Sequence, residues 1–150
     1  MNHRWLALLF VLALGLGCGG GTAGTPGEPI YSPEDGIYFD GAYVDNMKDY
    51  SIFLRFFPDG SVIRLQAVGT ARTVAQHLTH GHRELSKGTY SIDGNTVKIE
   101  TRGRAGDHDI EGTLYQEGDG FDCDVYDYKT ETWSEERTFR FKELDNLPEY

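Results

Sequence analysis

Three histidines, His77, His80 and His82, fall within six residues, and imidazole at that density suits zinc, copper or nickel. His77 and His80 stand three apart, so on a helix they would share a face, with His82 following Gly81. Asp107, His108 and Asp109 are the residues that would complete such a set. A tetrahedral centre needs a fourth ligand and oriented acceptors behind the first shell of ligands. The plainer reading is three surface histidines near a helix C-terminus, where the helix dipole favours them.

Asp119, Asp122, Asp124 and Asp127 form the second cluster. Calcium sites of the helix-loop-helix type demand alternating acids, a Gly at the sixth position and a Glu at the twelfth. That pattern is missing here. On a strand, Asp122 and Asp124 would share a face, which reads as a solvated outer surface. Cys123 sits between them, and two flanking carboxylates would suppress its thiolate. The chain has many acids, but no pair is singled out for glycoside hydrolysis. There is no Gly-x-Ser-x-Gly elbow, no His-Glu-x-x-His and no phosphate-cradling glycine loop. No catalytic residue, metal or cofactor is therefore assigned, and the expectation is a protein that is not an enzyme.

The elements that must carry these residues read as strands and turns. Gly36–Val44 holds β-favouring residues broken by glycines, as in a bent or bulged strand. Ser51–Phe57 and Ser61–Val68 flank Pro58-Asp59-Gly60, a turn that predicts a hairpin, with Ile63, Leu65 and Ala67 on one face. Thr70 as cap, Val74 and Leu78 four apart and Gly81 as stop predict one short helix over 70–81. Gly88–Ile92 and Thr96–Glu100 alternate around Asp93-Gly94-Asn95, with Tyr90, Ile92, Val97 and Ile99 inward. Asp109–Tyr115 and Gly120–Asp127 make a further hairpin, and Glu135–Glu143 closes the domain through Phe139 and Phe141. Leu144–Tyr150 reads as a short tail.

In the strand from Gly120, Phe121, Cys123 and Val125 should face inward. A one-residue slip would bury Asp122 and Asp124 together, costing several kcal/mol, whereas each apolar side chain contributes about 1.5–3 kcal/mol when buried. About eight strands in consecutive hairpins make an antiparallel meander that removes its edges by closing into a barrel. Such a barrel is either filled by side chains or holds one small ligand.

The composition agrees. The chain has 150 residues, 19 of them Gly, and 24 acidic against 14 basic residues give a net charge of −10. Length allows one domain. The acidic balance argues against nucleic acid, which needs a clustered cationic surface. The aromatic content argues against disorder.

The N-terminus points to a destination. His3 and Arg4 precede the apolar run Trp5–Gly17, which is shorter than the roughly 20 residues of a membrane span and fits the core of a secretory signal. Gly15-Leu16-Gly17-Cys18 resembles the lipobox of bacterial lipoproteins. The resemblance implies a signal peptide over 1–17, removed before Cys18, which then carries the lipid, with palmitate among its acyl chains. Residues 18–35, rich in Gly, Thr and Pro, are expected to act as a flexible tether. A barrel domain over 36–145 and a tail over 146–150 complete the expected organisation. The implied location is the bacterial cell envelope, with the membrane as partner through Cys18. The open alternative is a secreted soluble protein, either with an incidental Cys18 or with a Cys18–Cys123 disulfide.

Tyr50–Val62, a short helix, and then Ser86–Ile99 follow an order that resembles the lipocalin-like, calycin-type small barrels of bacterial lipoproteins. The likeness covers about 36–143 and rests on structural motifs: a strand with a Pro-Asp-Gly turn, and a Gly-x-Tyr strand with an Asp-Gly-Asn turn. It implies a binding or accessory role, with a small hydrophobic ligand or an envelope protein as partner. The other reading is a barrel with a ligand-carrying or enzymatic interior.

Overall fold

A computed structural model describes residues 31, 32 and 36–148 of the chain. The leader, Cys18 and most of the tether lie outside the described residues. Two short strands come first, β1 (Tyr31–Ser32) and β2 (Ile37–Tyr38), paired antiparallel. β3 (Gly41–Asn46), β4 (Ser51–Phe56) and β5 (Ser61–Ala67) follow. A helical segment comes next, α1 (Ala71–Val74) running into a 3-10 turn at Ala75–His77. The chain then forms β6 (Ser86–Asp93), β7 (Thr96–Gly103), β8 (His108–Leu114), β9 (Gly120–Asp127) and β10 (Thr132–Glu143). β3 to β10 form a closed eight-stranded barrel, each strand paired antiparallel with its neighbours and β10 returning to β3.

The register bears out the alternation expected of β9. Phe121, Cys123 and Val125 are buried in the interior cluster, while Asp122 and Asp124 are exposed. Val97 and Ile99 of β7 join them, with Tyr90 and Ile92 of β6 packed alongside. Phe139 is fully buried and Phe141 packs against the same cluster.

Three features depart from the sequence reading. The single bent strand expected over Gly36–Val44 is two strands: β2 leaves the barrel wall to pair with β1, which falls in the stretch expected to be tether. β3 then starts at Gly41, where a Cβ would lie 2.2 Å from the Lys142 carbonyl oxygen, so only glycine lets β3 and β10 meet there. The helix is shorter than 70–81. Thr70 caps it as expected, accepting from the Thr73 N–H, but the helix tightens after Val74 and Leu78 turns inward, fully buried. Finally, β6, β7, β8 and β10 each extend beyond the expected limits at one and the same end of the barrel.

That helical segment explains a second core. Ile63 and Leu65 do share a face, with Ala67 packed alongside, but it is the outer face of β5. There they pack with Val44, Phe53, Phe57, Val74, Ala75, Leu78, Leu85 and Leu144, so β3 to β5 are buried on both sides. Arg55 lies in this layer and donates to the carbonyls of Leu78 (2.8 Å) and Pro148 (2.9 Å), fastening the segment and the C-terminal stretch to the wall. Arginine suits this role because its long stem packs while its fork reaches two carbonyls at once.

Candidate functional site

The two ends of the barrel interior differ in chemistry. One end is aromatic. Tyr43 meets Phe56 edge-on at 5.3 Å and Phe121 at 5.7 Å, Phe121 stacks on Phe139 at 5.1 Å, and Phe56 meets Tyr90 edge-on at 4.9 Å. Tyr38 of β2 stacks on Phe141 at 4.6 Å, and Ile37 and Phe39 are buried in the same cluster, so the chain itself stoppers this end. The Tyr43 hydroxyl, fully buried, donates to the Gly118 carbonyl (2.6 Å) and accepts from the Tyr38 N–H (3.0 Å). Its one polar atom is thus matched on both sides.

The opposite end is polar. Arg64 is the next interior position after Val62 on β5; Ser86 begins β6, Thr101 follows Val97 and Ile99 on β7, His108 precedes Ile110 on β8, and Asp127 follows Val125 on β9. The register ties these strands into one rim: Arg64 opposes Ser86, Thr101 opposes His108, and His108 opposes Asp127. Arg64, Ser86, Thr101 and His108 are all buried, Arg64 to 2 % exposure. Across the rim, Arg137 pairs with Asp45 through Nη2 and through Nε at 2.7 Å. A β-bulge between Ser134 and Arg137 places Arg137 opposite Cys123, a position Glu136 would otherwise take, and Glu136 adopts a φ of +57° to allow it.

The turn joining β7 to β8 closes over this end. Gly103 and Gly106 bracket it at φ +145° and +96°, conformations that a side chain would strain. Arg64 Nη1 donates to the Ala105 carbonyl (2.5 Å) and Ser86 Oγ to the Gly106 carbonyl (2.6 Å), so two interior side chains hold the turn down. The Asp107 carboxylate accepts from the Gly103 N–H at 2.9 Å.

Charge at the rim is unevenly matched. No ion pair involving Arg64 occurs among the described residues, and its Nε–H has no acceptor. The Thr101 hydroxyl is likewise buried without a partner. Burial and the nearby Arg137 charge push the Arg64 guanidinium down to about 10, so it remains charged at neutral pH. Burial, reinforced by the Arg64 charge, lowers the His108 imidazole from its usual value and favours its neutral form. Asp127 stands 3.6 Å from His108 Nε2. Burial would raise its carboxyl, but the N–H groups of Lys129 and Thr130, with His108 and Arg64, outweigh that and hold it low.

The clusters noticed in the sequence are dispersed. His77 and His82 do meet, with ring centroids 4.7 Å apart, but His80 packs on Phe57 at 4.3 Å, its Nε2 3.4 Å from Ser61 Oγ. Ser61 Oγ donates to Asp59 at 2.6 Å, so the acid holds the hydroxyl rather than the imidazole, and the three do not form a nucleophile–base–acid relay. Asp107, His108 and Asp109 also diverge. Asp109 faces outward to Arg102 (2.8 Å) and Tyr128 (2.6 Å). Among the described residues, no group of His, Cys, Asp and Glu is gathered to hold a metal. Asp122 accepts from Tyr115 and Thr138, Asp124 from the Glu136 N–H, and Asp127 belongs to the rim. Cys123 is a free thiol, 6 % exposed, and burial pushes it up to about 12.

Sequence reasoning missed the rim because it ended the strands at Gly88, Glu100 and Asp109, short of Ser86, Thr101 and His108. The signal was present: carrying the period of two one step further along each strand puts these residues, with Arg64 and Asp127, on the inward face. No helix among the described residues is long and apolar enough to cross a membrane. No protein-family model, curated protein or solved structure matches this chain.

Proposed function

We propose that the chain is a bacterial envelope lipoprotein, anchored through a lipid on Cys18, whose lipocalin-like barrel is a binding or accessory module. The observation that carries this reading is the placement of the ends. The chain reaches the barrel through β1 and β2 at the aromatic end, opposite the polar rim. A domain tethered from its N-terminus would therefore lead with the rim, away from the lipid. Acyl chains supply the hold, since each buried methylene contributes about 0.8 kcal/mol and two or more chains anchor stably. The net charge of −10 keeps such a domain from lying flat on anionic lipid.

The aromatic contacts across the interior speak against a large hydrophobic ligand at that end. An envelope protein would instead meet the outer wall, where Trp133 is 55 % exposed beside Tyr126 and Tyr128. The ligand-carrying alternative is supported by the polar rim alone.

Metabolic labelling with a palmitate analogue tests the anchor. Wild type should carry label and sediment with membranes, and Cys18→Ala should lose both. Equal label in the two proteins would remove the anchor.

A further inference from the structure

A guanidinium offers five N–H donors, and Arg64 is found spending one of its two terminal nitrogens on the Ala105 carbonyl while its Nε–H meets nothing. Leaving a buried charged donor unmet is among the costlier arrangements in a protein interior. The nearest compensating carboxylate, Asp127, accepts from the Lys129 and Thr130 N–H groups and faces His108. The other rim carboxylate, Asp45, is taken by Arg137. On the same interior face and at the same end, the Thr101 hydroxyl is fully buried and equally unmet. Two unmatched donors, one of them a full positive charge, call for an acceptor that is itself negative.

We propose that the polar end of the barrel is a binding site for a small oxyanion, held by the Arg64 guanidinium and the Thr101 hydroxyl beneath the turn of residues 103–107. The proposal rests on the reading of the barrel as a binding module and names the chemistry of its ligand. A carboxylate or an inorganic oxyanion has the required chemistry: oxygen acceptors for Nε–H and hydroxyl donors, and a charge to offset the guanidinium. The turn governs access. The turn is fastened by the Arg64 and Ser86 hydrogen bonds and by the Tyr128 N–H donating to the Asp107 carbonyl (3.1 Å), so an anion that engages Arg64 competes with the Ala105 carbonyl for one of these fastenings. Binding and turn opening are thereby coupled through one side chain.

The test is a nuclear magnetic resonance titration of the full chain in detergent micelles, following the Arg64 Nε–H resonance and the amides of residues 103–108 at constant ionic strength. Sodium acetate, phosphate and sulfate are the probes, with acetamide as the uncharged control. A saturable shift of both signals with acetate or with an inorganic oxyanion, and none with acetamide, is expected. The responding probe distinguishes an organic from an inorganic ligand. Arg64→Met should abolish the response. Thr101→Val, which leaves the cation in place, should weaken it about tenfold and keeps the test decisive should Arg64→Met fail to fold. No saturable shift with any of the three anions, an equal shift with acetamide, or a response retained in Arg64→Met would overturn the proposal. A flat titration would leave palmitate labelling at Cys18 untouched, and absent label would leave the titration untouched, so the two readings fail separately.

Discussion

The aromatic end and the polar end of this barrel are built by the same eight strands, yet they follow opposite rules. At the aromatic end the rings of Tyr43, Phe56, Tyr90, Phe121 and Phe139 pack on one another, and the buried Tyr43 hydroxyl has both a donor and an acceptor partner, the unmatched buried atom there being Asp40 Oδ1 between β2 and β3. At the polar end Arg64 is buried with its Nε–H unmatched, and the buried Thr101 hydroxyl at the same end is unmatched too. The first arrangement is what stability alone would select. The second carries a desolvation penalty that packing alone does not offset, and that penalty is the ground on which the oxyanion site is proposed there.

The largest expected effect lies at the aromatic end. Phe121→Ala removes a fully buried ring that contacts both Tyr43 and Phe139, and should cost about 3–5 kcal/mol in urea denaturation of the full chain. A loss below 1 kcal/mol would mean that this cluster is not the barrel's main support. Next comes the matched pair at the rim. Asp45→Ala strands Arg137, and because both side chains retain some exposure the expected loss is about 2 kcal/mol. The size of that loss against the Arg64 variants measures how differently a paired and an unpaired arginine behave within one rim.

Cys123 probes the wall between the ends. Cys123→Ser places a hydroxyl in an apolar cluster and should cost about 1–3 kcal/mol. The wild-type thiol, buried and held mostly protonated, should react with a thiol reagent only after denaturation. Rapid labelling in the native protein would show that β9 is placed wrongly.

The smallest effect is that of pH. His108 is held below its ordinary value of 6.5 in the folded protein, so the unfolded chain binds the proton more readily. Stability should therefore be fully present above about 6.5 and decline as pH falls below it toward the folded-state value. His108→Gln should flatten that decline, seen as a smaller drop in melting temperature between pH 7 and pH 5.5. An unchanged slope would remove His108 from the rim's electrostatics.

What the sequence made legible follows from how the strands are patterned. Phe121, Cys123 and Val125 alternate with aspartates, and Val97 and Ile99 with polar residues, so one face had to go inside and the register was decided. Strands β3 to β5 carry apolar residues on both faces, which told of burial without telling which face looked inward. Only the packed helical segment decides that Ile63 and Leu65 lie outside the barrel. The rim was the least legible part. Thr101 and His108 are polar, and a polar residue at a strand end reads as the start of a turn unless the period is carried through it; Arg64 lay inside an expected strand, but the sequence did not decide which face of that strand looked inward. The helix was overextended for a related reason: the i, i+4 spacing of Val74 and Leu78 matches a helix, but Leu78 is buried just after a 3-10 turn rather than on a continuing helical face. The histidines were the most conspicuous feature and the least informative, because their spacing said nothing of Phe57, on which His80 packs.

The most direct test of the contrast between the two ends is the stability of Arg64→Met, measured by urea denaturation of the full chain without added oxyanion. Methionine fills the space of the arginine stem and removes the unmatched charge, and replacing poorly compensated buried charge by an apolar side chain is neutral or stabilising. The expected result is a free energy of unfolding equal to that of the wild type or higher by about 1 kcal/mol. A loss of about 2 kcal/mol or more would show that Arg64 supports the fold in the way Phe121 does, and would contradict the assignment of the polar end to binding.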